Sequence, residues 1–226
     1  MAEEAKDTMN QNAFYSDAKE YWKKIPATVD GMLGGYGSIS SNDIIGSQKF
    51  LKFFLHAPWA QRLQNRKALD CGAGIGRVSK HLLLPIFQSV DLLEQEKSFL
   101  DEAKTYLGDT ADRVGKYIHK GLQDFTPSSA EYDLIWCQWV LGHLSDDHLV
   151  SFLKRCKEGL MDNGLICIKE NIAKDGVIFD DQDSSFTRSY NEMQKIFKLA
   201  DVTVVKEYTQ RNFPLELYTV KMIALR

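Results

Sequence analysis

From residue 67 the chain alternates short, continuous apolar runs with stretches whose apolar residues recur every third or fourth position. Continuous short runs fit strands buried on both faces, and the 3.6-residue period fits helices that cover them. Residues 67–71 (KALDC), 89–93, 116–120, 132–137 (YDLIWC) and 164–169 (GLICIK) read as strands, and 202–208 and 218–225 close the set. Between them, 78–84, 97–107, 147–160 and 193–199 read as helices. Phe99, Leu100, Ala103 and Leu107 share one helix face; Leu149, Phe152, Leu153, Cys156 and Leu160 form another stripe, with Ser145 placed to cap it. Pro85 stops the first helix. This alternation predicts an α/β fold with a largely parallel sheet and helices on both faces.

Residues 1–66 show no strand alternation. They carry aromatic helical patterns at 14–24 and 47–54, separated by Pro26 and a glycine-rich loop at 31–37. Ser47 reads as an N-cap ahead of Phe50, Leu51, Phe54 and Leu55. A helical cap with a glycine-rich lid is expected over 1–66, ahead of a core at 67–226.

Composition narrows the class. With 44% hydrophobic and 26% charged residues the chain reads as a soluble globular protein. Its 28 basic and 31 acidic residues leave a net charge of -3, which argues against a direct nucleic-acid binder. The longest apolar runs, such as 82–87, fall well short of the ~20 residues of a membrane helix. The start, MAEEAKDTMNQNAF, lacks the basic and then apolar order of a secretory leader. Cys71, Cys137, Cys156 and Cys167 form no CxxC and read as buried small apolar residues of an intracellular protein. Neither a metal site nor a disulfide framework is expected.

The chemistry begins after the first strand. Asp70-Cys71-Gly72-Ala73-Gly74-Ile75-Gly76-Arg77 joins that strand to a helix, where a sharp turn and close approach of a ligand to bare backbone call for glycine. Glu94 ends the second strand 18 residues after Gly76, close to the ~20 expected of an acid that binds ribose hydroxyls. Strand, loop, helix, strand and acid in order point to an adenosyl cofactor. Dinucleotide enzymes carry G-x-G-x-x-G; the D-x-G-x-G-x-G here resembles the first motif of the class I S-adenosylmethionine methyltransferases. That resemblance implies a Rossmann-like, mixed seven-stranded sheet with an antiparallel last strand. It also sets Gln123-Asp124-Phe125 beside the adenine and the end of YDLIWCQW at the transferred methyl.

Longer stretches resemble one branch, the α-N-terminal protein methyltransferases that act on Xaa-Pro-Lys termini. They are YSDAKEYW (15–22), VDGMLGGYG (29–37), LDCGAGIGR (69–77), AKTYLG (103–108), GLQDFTP (121–127), WCQWVLGHL (136–144), KEN (169–171) and GVIFDDQDSS (176–185), together with the terminal ALR. The family commonly has Asp where this chain has Glu94. The resemblance implies methyl transfer from S-adenosylmethionine to the α-amino group exposed after removal of the initiator Met, in the nucleus and cytoplasm, by a monomer with no membrane partner. It implies cofactor contacts at Gly72, Gly74, Arg77, Glu94, Leu122, Gln123 and Gln138, with Arg77 on the methionine carboxylate. It implies a peptide channel of Trp22, Leu33, Trp139, Asn171, Asp180, Ser185 and Tyr218, with a substrate loop around 171–190, and proton handling by His143 and Asp183.

The reaction suits these residue types. Only a neutral amine can attack a sulfonium methyl, and an α-amine, with pKa ~8, needs only a modest base. Taken singly, His143, the Asp cluster and the Trp residues also fit a half-buried His, a solvated turn and core aromatics. A small-molecule amine methyltransferase on the same fold, and an inactive binding module, remain as alternatives. Asp175, Asp180, Asp181 and Asp183 give residues 175–185 four acids and no base, so the rest of the chain carries a net +1.

Overall fold

The computed structural model describes residues 11–58 and 62–226; the acidic start (1–10) and positions 59–61 of the divergent 56–66 tract lie outside the described residues. Seven strands form the central sheet: β1 (Lys67–Cys71), β2 (Ser89–Glu94), β3 (Val114–His119), β4 (Tyr132–Gln138), β5 (Leu160–Ile172), β8 (Val204–Thr209) and β9 (Thr219–Leu225). Their order is β3-β2-β1-β4-β5-β9-β8, and β9 runs antiparallel to both neighbours. The strand order reverses at β1, where open α/β sheets place their ligands. There the register sets Cys71 beside both Leu93 and Cys137, and Gln138 beside Lys169. The residues that follow these strands therefore emerge along one edge.

Helices cover both faces because consecutive strand residues point to opposite sides. On one side Trp136 and Leu134 pack with α3 (Ser40–Leu55) and α4 (Lys97–Leu107), through Phe50, Leu51, Phe54, Leu100, Ala103 and Leu107. On the other, Leu69, Ile135 and Ile166 pack against α5 (Asp146–Glu158) and α6 (Tyr190–Leu199) through Leu149, Phe152, Leu153, Ile196 and Phe197. Ser145 caps α5, accepting the His148 N–H. All four cysteines are free and buried. No helix among the described residues is long and apolar enough to cross a membrane.

The structure departs from the expected elements in several places. Leu160, expected on the stripe of the 147–160 helix, opens β5 instead, because α5 ends at Glu158 and Gly159 caps it. Helix α3 begins at Ser40, so Ser47 is not a cap; it lies inside the helix and its Oγ donates to the Asp43 carbonyl at 3.0 Å. The glycine-rich segment is not all loop: α2 (Val29–Met32) and a 3-10 turn at Gly37–Ile39 occupy part of it. Residues 175–190 carry a hairpin of β6 (Val177–Asp180) and β7 (Ser185–Arg188). Helix α1 (Gln11–Lys24) holds that hairpin: the Phe14 ring stacks on Phe186 at 5.3 Å, and Ser184 Oγ donates to the Phe14 carbonyl at 3.0 Å.

One buried polar contact on the sheet has a measurable weight. Tyr132 Oη donates to Asp91 Oδ2 at 2.8 Å, Lys67 Nζ lies 2.8 Å from the same oxygen, and Asp91 Oδ1 has no partner. Tyr132→Phe removes one donor from a fully buried carboxylate and is expected to cost about 1.5–3 kcal/mol in urea unfolding. A loss below about 0.5 kcal/mol would show that Lys67 alone satisfies Asp91.

Candidate active site

Two adjoining clefts open at the carboxyl edge of the sheet, sharing Trp22, Met32, Trp139 and His143 as a common wall. The first encloses ≈ 880 Å³, part of it open to solvent. It gathers Gly72, Gly74, Arg77, Glu94, Leu122, Gln123 and Gln138, all seven residues expected to meet a cofactor. Gly72 and Gly74 have φ of +68° and +54°, a conformation other residues resist, so the sharp turn requires glycine. Glu94 binds the loop itself: its carboxylate accepts from the Gly74 N–H at 2.9 Å and the Glu96 N–H at 2.8 Å. Burial raises its pKa, and these N–H groups oppose the shift. Burial also pushes Asp70 up to about 6, against a hydrogen bond from Ser79.

Arg77 projects from the turn into a buried cluster that sequence reasoning did not find. Its Nη1 donates to Asp43 Oδ2 at 2.7 Å, the Gln138 amide donates to both Asp43 oxygens at 2.9 and 3.0 Å, and Lys169 Nζ lies 2.6 Å from Asp43 Oδ1. Asp43 and Ser47 stand one helical turn apart on the buried face of α3, ahead of and at the position expected to cap that helix, and that i, i+4 polar pair was the available signal.

The second cleft, of ≈ 1240 Å³, gathers Trp22, Leu33, Trp139, Asn171, Asp180, Asp183, Ser185 and Tyr218, with His143 at its junction with the first. Tyr36, Glu170, Phe186, Phe213 and Leu217, outside the expected site, complete much of its wall. Of the four hairpin acids, only Asp180 and Asp183 line the cleft; Asp175 accepts from the Gly176 N–H. Trp139 follows β4 with φ +52°, a strained geometry for a bulky residue that turns it into both clefts.

His143 is engaged at both ring nitrogens. Nε2 accepts from the Trp22 indole N–H at 3.0 Å, and Nδ1 lies 3.3 Å from the Ser184 carbonyl, to which it donates. Those partners require the neutral Nδ1–H tautomer. Burial lowers its pKa, with Asp183 opposing. Two buried atoms of the second cleft's wall lack partners: Asp183 Oδ1, an acceptor, and Trp139 Nε1, a donor.

Comparison with known proteins identifies the family of the chain. The family described as AdoMet dependent proline di-methyltransferase matches residues 10–226. The N-terminal Xaa-Pro-Lys N-methyltransferase 1 of Danio rerio is 54% identical over 96% of this chain and 97% of its own length. Its Homo sapiens counterpart is 52% identical with the same coverage. A SAM-dependent methyltransferase of Leishmania major superposes with a TM-score of 0.88 at 40% identity, covering 94% of this chain and 83% of that one. A Haemonchus contortus phosphoethanolamine N-methyltransferase bound to S-adenosylhomocysteine shares the fold at a TM-score of 0.74 and 16% identity, covering 95% of this chain and 48% of that one.

Glu170 gives the second cleft a pH signature. Its Oε1 accepts from the Val140 and Leu141 N–H groups at 2.8 and 2.9 Å, yet burial pushes its pKa up to about 7. A carboxyl raised on folding stabilises the fold below its ordinary value of 4.5, and that contribution is lost as pH rises through about 7. Glu170→Gln retains an oxygen for both N–H groups. Its melting temperature should gain on the parent protein between about pH 5 and about pH 8. A constant difference across that window would refute the shift.

Proposed function

The chain belongs to the AdoMet-dependent proline di-methyltransferase family, and we propose that it transfers methyl groups to the free α-amino group of protein N-termini reading Xaa-Pro-Lys after Met removal. The donor is S-adenosylmethionine, and the residues of the first cleft fit it. A turn of positive-φ glycines leaves backbone bare, Glu94 stands at the end of β2, Arg77 supplies a cation, and Leu122 and Phe99 add apolar wall. When bound, S-adenosylmethionine supplies an electrophilic methyl on a sulfonium.

What carries the substrate reading is the pair of buried atoms without partners beside the shared wall. A peptide N-terminus brings an ammonium for Asp183 Oδ1 and carbonyls for a donor such as Trp139 Nε1. Satisfying buried polar groups in this way favours a peptide terminus over an apolar amine. Leu33, Trp139 and Trp22 would form the wall that selects proline, which brings no N–H of its own. Asn171, Ser185 and Tyr218 would hold the peptide backbone, and Asp180, exposed at the rim, would meet the third-position lysine.

His143 and Asp183 would divide the proton work unequally. His143 Nε2 has no free lone pair while the Trp22 indole N–H occupies it. Asp183 therefore binds the ammonium and receives its proton first, and His143 serves as the neutral, tautomer-fixed neighbour through which the proton leaves once Trp22 yields. Asp183 must act in transfer as well as binding, because a carboxylate that only paired with the ammonium would hold it charged.

Two measurements test this. A peptide beginning Ser-Pro-Lys should be methylated with S-adenosylmethionine, and its N-acetylated twin should not, as read by mass spectrometry; equal labelling of both, or of neither, would sink the α-amine assignment. Asp183→Asn should retain S-adenosylhomocysteine binding while turnover falls by about a hundredfold or more. Turnover within a few-fold of the parent would remove Asp183 from proton transfer.

A further inference from the structure

Lys169 touches neither cleft, yet its ammonium is the most deeply buried cation near the site. The side chain is 0% exposed, as is that of Asp43. Besides Asp43 Oδ1, its Nζ meets the Asp43 carbonyl at 2.9 Å, Ser47 Oγ at 3.0 Å and Gln210 Oε1 at 2.8 Å, so every proton has an acceptor. Only one of those partners is charged, and Asp43 is shared with Arg77 on its other oxygen.

Counting the charges in direct contact gives two cations against one carboxylate. The remaining members are neutral: the Gln138 amide donates to Asp43 while its oxygen accepts from the Trp136 indole at 3.0 Å. Two other acids line the first cleft, and Asp70 is near enough to Arg77 for their charges to attract, but both stand outside the hydrogen-bonded cluster. Asp70 Oδ2 accepts from Ser79 Oγ at 2.7 Å, and Glu94 is held by backbone N–H groups; neither is hydrogen-bonded to Arg77 or Lys169. An Arg77–Asp43 pair alone would present a neutral wall. With Lys169 behind it, the guanidinium that lines the cleft is the front of a cluster carrying +1 in a setting where water screens little.

We propose that Lys169 is a positioning residue for the cofactor: placed behind Asp43, it leaves the cluster one anion short, and the carboxylate of the cofactor's methionine end completes it. Arg77 then meets that carboxylate with its charge unspent, although it already holds Asp43. The inference rests on S-adenosylmethionine as the cofactor, so its test separates the two.

The test is calorimetric titration with S-adenosylhomocysteine and with 5′-methylthioadenosine, the same nucleoside thioether without the amino-acid end. Lys169→Met should weaken S-adenosylhomocysteine roughly tenfold or more while holding methylthioadenosine within about twofold. Asp43→Asn, which keeps the side-chain shape and raises the cluster to +2, should leave the preference for S-adenosylhomocysteine over methylthioadenosine at or above that of the parent. A purely structural role would weaken both ligands together. An unchanged preference in Lys169→Met, or a fall in Asp43→Asn, overturns the proposal; the second stands alone if the Met variant does not fold. A parent protein that binds neither ligand would instead overturn the cofactor assignment.

Discussion

The Asp43 carboxylate, fully withdrawn from water on helix α3, is where the amino-terminal cap and the sheet are joined. A buried carboxylate persists only with paired charges and satisfied lone pairs. Here Arg77 from the glycine turn, Gln138 from the end of β4 and Lys169 from β5 all converge on it. Each of the three belongs to a different segment of the site edge, so one cap residue fixes how those segments stand relative to one another. Lys169 extends the tie further through Gln210, whose amide also donates to the Asn42 carbonyl. The loop that follows brings Phe213, Leu217 and Tyr218 to the second cleft. The cap is thus part of the site's frame as well as its cover.

Helix α1 does the same for the opposite wall. Phe14 packs on Phe186 and Phe179 of the hairpin, Tyr15 Oη lies 2.6 Å from His148 Nδ1 at the start of α5, and Trp22 reaches His143. Hairpin, helix α5 and the 3-10 turn carrying His143 are therefore held by one element from outside the sheet. The hairpin needs this support, because Ile178 and Phe179 are each 43% exposed and four-residue strands bury little on their own. Asp183 lies in its turn, so the placement of Asp183 against His143 depends on α1.

The sheet was legible from sequence because its strands are buried on both faces and read as unbroken apolar runs, as Tyr132–Gln138 does. The glycine turn and Glu94 were legible for the same local reason: turn, helix start and strand end follow in order. Residues 40–46 hid their helix because Asp43 and Ser47 put polar groups on its inner face, and the partners that hold them from other elements lie 34 to 126 residues away. The hairpin hid because half of it faces solvent, and what holds it is Phe14, distant in sequence. All sixteen residues singled out for the site line one cleft or the other, but the local pattern gave no role to Gln210, nor to Lys169 and Glu170 within the KEN stretch. Those residues acquire a role only through tertiary pairing.

The distribution of charge explains more than its sum. The net of -3 conceals a buried cluster with cations in excess behind the first cleft and acids at the second, Asp180 at the rim and Asp183 inside. Trp139 stands between them, its ring 5.9 Å from the Arg77 guanidinium on one side and its face in the second cleft on the other. A low-dielectric wall between opposite charges strengthens the field on each side. Arg77 gives the first cleft a cation beside the acids Asp70 and Glu94, while the charged residues that line the second, Glu170, Asp180 and Asp183, are all acids. On the proposed function, donor and acceptor would meet at Trp22 and His143, where positioning can supply much of the rate and the base need supply little.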